Sequence, residues 1–149
     1  MGSGADEQVR GTVFRDRIFA RGGDDVLRGA RGDDRLAAGG GGDRLVGGPG
    51  RDTLLGGAGA DTFVFAFAPH ADGDRIADFE PGTDRIDLSG IDADSTRRGD
   101  QEFEIDGAGA GALTLGTGFV SGDLDGEGPA DFRIRLAGGI EPAAGDILL

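Results

Sequence analysis

GGPGRDTLL (47–55) and GGAGADTFV (56–64) decide the fold. Each has glycine at positions 1, 2 and 4, aspartate at 6 and an apolar residue at 8. Working outward, the same nine-residue frame runs back through AGGGGDRLV (38–46), GARGDDRLA (29–37), ARGGDDVLR (20–28) and GTVFRDRIF (11–19). The aspartates are Asp16, Asp25, Asp34, Asp43, Asp52 and Asp61, and the apolar residues two places later are Ile18, Leu27, Leu36, Leu45, Leu54 and Phe63. The first unit has Phe14 where glycine belongs, as terminal repeats are usually imperfect.

The first six residues of a unit read as a turn and the last three as a short strand. Glycine in the turn allows positive φ and lets carbonyl groups converge. In the strand the apolar residue points inward and its neighbours, such as Arg28, Arg35 and Arg44, point to water. A turn and a strand reverse the chain, so two units make one coil. Asp25, Asp43 and Asp61 then line one edge and Asp16, Asp34 and Asp52 the other. A hard anionic oxygen at each rung suits calcium. One apolar side chain per nine residues is too little to order a glycine-rich backbone. Folding is therefore expected to depend on the metal.

Composition bounds the alternatives. The chain has 149 residues, a net charge of −13, 32 glycines and no cysteine. The acidic balance argues against nucleic acid and anionic membranes as partners. Without cysteine there is neither a disulfide framework nor a thiolate metal site. All fifteen basic residues are arginine. MGSGADEQVR has no apolar core, so no signal peptide is read there, and no apolar run is long enough to insert in a membrane. Met1–Gly4 reads as a tag remnant and 5–10 as frayed chain or a short lead-in strand. Beyond Val64 the period breaks. FVFAFA continues as a strand and PHADG is a loop. DRIADF (74–79) and DRIDL (84–88) are strands joined by the turn EPGT, and 103–106, 111–115, 118–121 and 130–136 are further strands. No helix is expected, only a turn near 92–98.

The repeat is that of the RTX proteins, which bind calcium in a parallel β-helix. GADTFVF, DRIADFEPGTDRIDLSGID, GDLDGEGPADFRIRLAG and the terminal GDILL resemble the C-terminal domain of serralysin-type metalloproteases, across about 11–149. The resemblance implies an all-β fold: a right-handed parallel β-roll followed by a β-rich cap. It also implies extracellular calcium binding and a C-terminal export signal read by a type I ABC transporter complex. Asp146-Ile147-Leu148-Leu149 matches that family's acidic-then-apolar ending. The domains expected are a tag and lead-in (1–10), the roll (11–72) and the cap with its secretion signal (73–149).

The family's ligand rule, carried onto this sequence, implies about three to five Ca2+ ions. One site joins Gly39, Gly41 and Asp43 to Gly56, Ala58 and Asp61. A second joins Ala30, Gly32 and Asp34 to Gly47, Pro49 and Asp52. A third joins Arg21, Gly23 and Asp25 to Ala38, Gly40 and Asp43. A fourth would use Asp16 with Thr12 and Phe14, then Gly29, Arg31 and Asp34. Gly48, Gly50 and Asp52 need a partner beyond the repeats, for which Asp74 or Asp78 are candidates. The plainer reading of the aspartates is turn capping through backbone N–H groups, and His70 reads as a loop residue. Asp123, Asp125, Glu127 and Asp131 resemble a calcium loop, but Ile134 stands where its bidentate glutamate belongs, so the run reads as a polar hairpin.

Catalysis has no foothold: one histidine, no cysteine and no HExxH motif. The expectation is a non-catalytic, secreted calcium-binding module that folds on ion binding and supports export and stability of a parent protein. The alternative is an adhesive module that binds surface polysaccharide.

Overall fold

The computed structural model describes residues 4–93 and 103–149; the turn expected near 92–98 lies largely outside them. Its strands are β1 (Gln8–Arg10), β2 (Arg17–Phe19), β3 (Val26–Arg28), β4 (Arg35–Gly40), β5 (Arg44–Val46), β6 (Thr53–Ala58) and β7 (Thr62–Val64). After a one-turn helix α1 (Ala68–Ala71) come β8 (Arg75–Ile76), β9 (Arg85–Asp87), β10 (Glu104–Ile105), β11 (Ala112–Gly116), β12 (Phe119–Asp123), β13 (Phe132–Leu136) and β14 (Ile147–Leu148).

Strands of alternate units stack in parallel into two sheets, the second of which also carries antiparallel strands. One runs β1-β3-β5-β7-β9-β14 and the other β2-β4-β6-β8-β13-β12-β11-β10. The register within the repeats is eighteen residues: Leu27 pairs with Leu45, and Leu36 with Leu54. Period-two alternation points every U residue into the space between the sheets, and Leu27, Leu36, Leu45, Leu54 and Phe63 are fully buried there. Ile18 and Val9, in the first coil, are only partly covered.

The stacking runs on past the repeats. Ile76 pairs with Leu54, and Ile86 with Phe63, so β8 and β9 form another coil, and the boundary drawn at 72/73 falls inside continuous ladders. DRIADF and DRIDL give strands on either side of the EPGT turn, as expected, and the two lie in different sheets. Their apolar residues complete both inner columns, and the extra chain is taken up in wider turns. At the other end, Val9 pairs with Leu27, so β1 is the lead-in strand of the two alternatives expected for 5–10 and continues the stack by one rung.

Two details differ from expectation. The strand after the repeats stops at Val64, and the loop PHADG carries α1, with Pro69 in its first turn, where a fixed φ suits a helix and no N–H is missed. Ala68 and Ala71 of α1 are buried, and the helix packs on β13. Antiparallel β11, β12 and β13 then close the far end, with Phe103, Leu113, Val120, Phe132 and Ile134 extending the core.

Candidate metal centre

The aspartate at position 6 ends each turn, and stacking sets successive aspartates one above another. Each offers its Oδ1 to the backbone N–H at the same position one coil earlier. On one edge Asp25 accepts from Glu7 at 2.7 Å, Asp43 from Asp25 at 2.7 Å, Asp61 from Asp43 at 2.9 Å and Asp84 from Asp61 at 3.0 Å. On the other edge Asp34 accepts from Asp16 at 2.8 Å, Asp52 from Asp34 at 2.8 Å and Asp74 from Asp52 at 2.7 Å. One carboxylate oxygen per rung is thereby spent on the fold.

The other oxygen is not. Oδ2 of Asp25, Asp34, Asp43, Asp52, Asp61 and Asp74 is buried with no hydrogen-bond donor. A buried anion without a partner is costly, so burial favours the protonated form of such a carboxyl. Burial pushes Asp52 up to about 7, the Asp34 N–H pulling the other way and the Asp34 and Asp33 charges adding to it. Burial likewise raises Asp61 to about 6 and Asp74 to about 8, and it raises Asp34 and Asp43. A hard divalent cation would satisfy these oxygens without a proton, and an all-oxygen donor set fits calcium.

The turns add carbonyl groups. Gly40, Pro49 and Ala58 each accept one N–H, from Gly23 at 2.9 Å, Gly32 at 3.0 Å and Gly41 at 2.9 Å. Ala38 and Gly47 accept from Arg21 at 2.7 Å and Ala30 at 3.1 Å. Each of these oxygens keeps a second lone pair. Gly39, Gly41, Gly48 and Gly50 hold φ of 124°, 131°, 107° and 147°. A Cβ on Gly50 would run into the Gly32 carbonyl, so only glycine fits. Arg21 and Ala30 take positive φ, 99° and 87°, without that freedom.

Two ends of the ladders are satisfied locally, while the third, Asp74, keeps its unpartnered Oδ2. Asp16 Oδ2 accepts the Thr12 N–H at 2.6 Å and the Thr12 hydroxyl at 2.8 Å. Asp84 Oδ2 accepts the Glu80 N–H at 2.9 Å. Turn capping thus describes Asp16, whereas the interior aspartates combine a cap with an unused oxygen. Of the two candidates beyond the repeats, Asp74 stands over Asp52. Asp78 does not; its Oδ1 accepts the Gly56 N–H at 3.1 Å, on the opposite edge beside Asp61 and Asp84. The turn before β9 is long enough to carry it there.

Asp123, Asp125 and Asp131 bring carboxylate oxygens within 4.8 Å of one another. Their oxygens are engaged within the loop: Asp123 accepts from Gly126 at 2.7 Å and Gly128 at 3.1 Å, and Asp131 from Leu124 at 2.6 Å. Glu127 stays outside the cluster. This is the polar hairpin.

The family model described as "Peptidase M10 serralysin C terminal" matches residues 23–148. The chain belongs to that family. The RTX calcium-binding nonapeptide repeat, in four copies, matches residues 1–36 of this serralysin C-terminal domain. Among solved structures, the extracellular lipase LipA from Serratia marcescens is 21% identical, with a TM-score of 0.66 over 95% of this chain. The domain spans about a fifth of that lipase, 20% of its length. The AlgE6R2 subunit of the Azotobacter vinelandii mannuronan C5-epimerase is 29% identical, with a TM-score of 0.67 over 95% of this chain and 91% of that one. No curated protein matches the sequence. The domain is therefore a calcium-binding RTX module on a β-roll.

Two residues of the ladders escaped the sequence reading. Glu7 stands nine residues before Asp16, and only its longer side chain hid the period. Asp84 lies twenty-three residues past Asp61, outside any fixed spacing, and no sequence signal marked it.

Proposed function

We propose that this domain is a folding switch governed by extracellular calcium, which keeps its parent protein threadable before type I export and stabilises it afterwards. The observation that carries the reading is the set of six buried Oδ2 atoms without donors, in two stacked columns. Each interior aspartate would share a cation with the turn one coil away, Asp25 with Asp43 and Asp43 with Asp61 on one edge, Asp34 with Asp52 and Asp52 with Asp74 on the other. The carbonyl groups of the intervening glycine turns complete the oxygen set. Calcium, when bound, supplies the positive charge that turns stacked carboxylates from repelling into bridged groups. Extracellular modules bind it at about 10⁻⁴–10⁻³ M, so mass action favours the folded state outside the cell.

The C-terminal segment supports the same reading. Asp146 accepts N–H groups from Gly82 and Ala143, both at 2.9 Å, and lies 3.6 Å from Arg85. β14 pairs with β9. In the folded domain the segment that resembles an export signal is tied into the sheet, so a transporter would read it from the unfolded chain. Native mass spectrometry in calcium tests the binding. Three to five ions on the wild type, fewer on Asp43→Asn, support the reading; an ion-free folded chain refutes it.

A further inference from the structure

The outer face of the eight-stranded sheet carries a charge pattern that the calcium ladders do not use. The register aligns Arg17, Arg35, Thr53, Arg75 and Arg135 in one row across β2, β4, β6, β8 and β13. Neighbouring strands lie about 4.8 Å apart, so Arg17 and Arg35 sit side by side, as do Arg75 and Arg135. Arg15, Arg51 and Arg133 flank the row and line two shallow grooves of about 420 and 290 Å³ that meet at Arg51. All seven arginines are exposed. Like charges directly opposite on adjacent strands destabilise a sheet, so folding gives no reason for the row.

On the other sheet Arg10 and Arg28 also stand opposite each other, but its two remaining strand arginines are paired. Arg44 pairs with Asp87 at 3.3 Å and Arg85 with Asp146 at 3.6 Å. Among the described residues no carboxylate forms an ion pair with the seven. The acids nearest to them are committed elsewhere: Asp33 accepts the Arg51 N–H at 2.9 Å and Asp72 the Arg133 N–H at 3.2 Å, while Asp34 belongs to the metal edge. Apolar surface borders the row at both ends, with Phe19 exposed at one and Phe119 under Arg133 at 4.5 Å at the other.

We propose that this face binds an acidic polysaccharide, a chain of uronic acid residues laid across the strands. Guanidinium groups form paired hydrogen bonds with planar carboxylates, which favours this anion. The grooves are open and lie side by side at Arg51, which suits a polymer rather than a small enclosed ligand. A domain of net charge −13 repels a polyanion of high charge density, whereas one carboxylate per sugar can be met locally by a row of arginines. Exposed Phe19 at one end offers an apolar face to a sugar ring. The proposal rests on the folded roll, which holds the row in register, and gives substance to the adhesive alternative.

The test is affinity electrophoresis of the domain in calcium with soluble oligogalacturonate, beside neutral dextran and single-stranded DNA. Retardation by the oligouronate alone, weakened by salt, is expected. In R17Q/R35Q/R75Q/R135Q the affinity should fall at least tenfold with an unchanged circular dichroism spectrum, while R44Q/R85Q on the opposite face keeps it. Absent retardation of the wild type, equal binding by the fourfold variant, or equal retardation by DNA overturns the proposal. Should the fourfold variant lose its fold, R35Q/R75Q takes its place against the same criterion. A chain that stays folded in chelator refutes the calcium switch but not this face, since the assay then runs without calcium.

Discussion

Interior carboxylates of the roll, and Asp74 of the coil after it, keep one buried oxygen with no donor; other carboxylates nearer the C-terminus close both oxygens within the chain. Asp52 and Asp61 illustrate the first, with Oδ2 unpartnered. Asp84 and Asp146 illustrate the second, each accepting two backbone N–H groups. The apolar side follows the same division. A repeat coil buries one Leu or Phe from each strand, whereas beyond the repeats Phe79 packs on Phe63 and Phe103 on Phe132, with Leu113 and Ile134 also buried. Where the core is thin, the chain leaves room for a cation; where aromatic packing suffices, it does not. The proposed metal dependence would therefore belong to the coils and reach the cap through β8, β9 and β14, which are hydrogen-bonded to them or to one another.

The largest effect expected from one substitution is at a glycine of the roll. Gly50→Ala should destabilise the calcium-bound domain by about 2–3 kcal/mol, because φ of 147° and the Gly32 carbonyl leave no room for a Cβ. Gly82→Ala in the turn before β9, also at positive φ but with open space around it, should cost only about 1 kcal/mol. Chemical denaturation in calcium checks the pair, and equal losses would erase the distinction drawn between them. Next comes Asp43→Asn, which touches two gaps of one edge. It should raise the calcium concentration at half-folding about tenfold, equivalent to about 1.4 kcal/mol. Asp125→Asn in the cap hairpin should leave that midpoint unchanged.

Proton dependence sharpens the comparison further. In chelator, the carboxyls of Asp52, Asp61 and Asp74 titrate at about 7, 6 and 8 when folded, against an ordinary 3.8. The folded chain then binds more protons than the unfolded one between these values, so stability falls as pH rises through that window. Without calcium the roll should be more structured at pH about 5 than at about 8. Denaturant titrations in chelator at the two pH values would show it, and the opposite order would contradict the burial argument. The smallest effect is a gain: Ala30→Gly removes a left-handed alanine and should stabilise by about 1 kcal/mol.

The repeats were legible because glycine, aspartate and an apolar residue recur at fixed spacing, and the inner columns and both carboxylate edges came directly from that period. The ends were not. Glu7 replaces the aspartate and Ala5 the glycine of an outer unit, so the period looked broken at 11. Asp84 and Asp78 depend on turn lengths beyond the repeats, which no local rule sets, and Asp78 consequently reached the opposite edge from the one expected. The helix at 68–71 rests on packing against β13, a contact sixty residues away in sequence that only the tertiary fold reveals. Among the described residues no helix is long and apolar enough to cross a membrane.

A calcium titration at neutral pH, followed by far-ultraviolet circular dichroism from a chelated start, tests the account most directly. The account predicts a chain with little β signal in excess chelator and a cooperative gain as calcium rises, reversed by chelator. A spectrum equally rich in β-structure before and after calcium would contradict it.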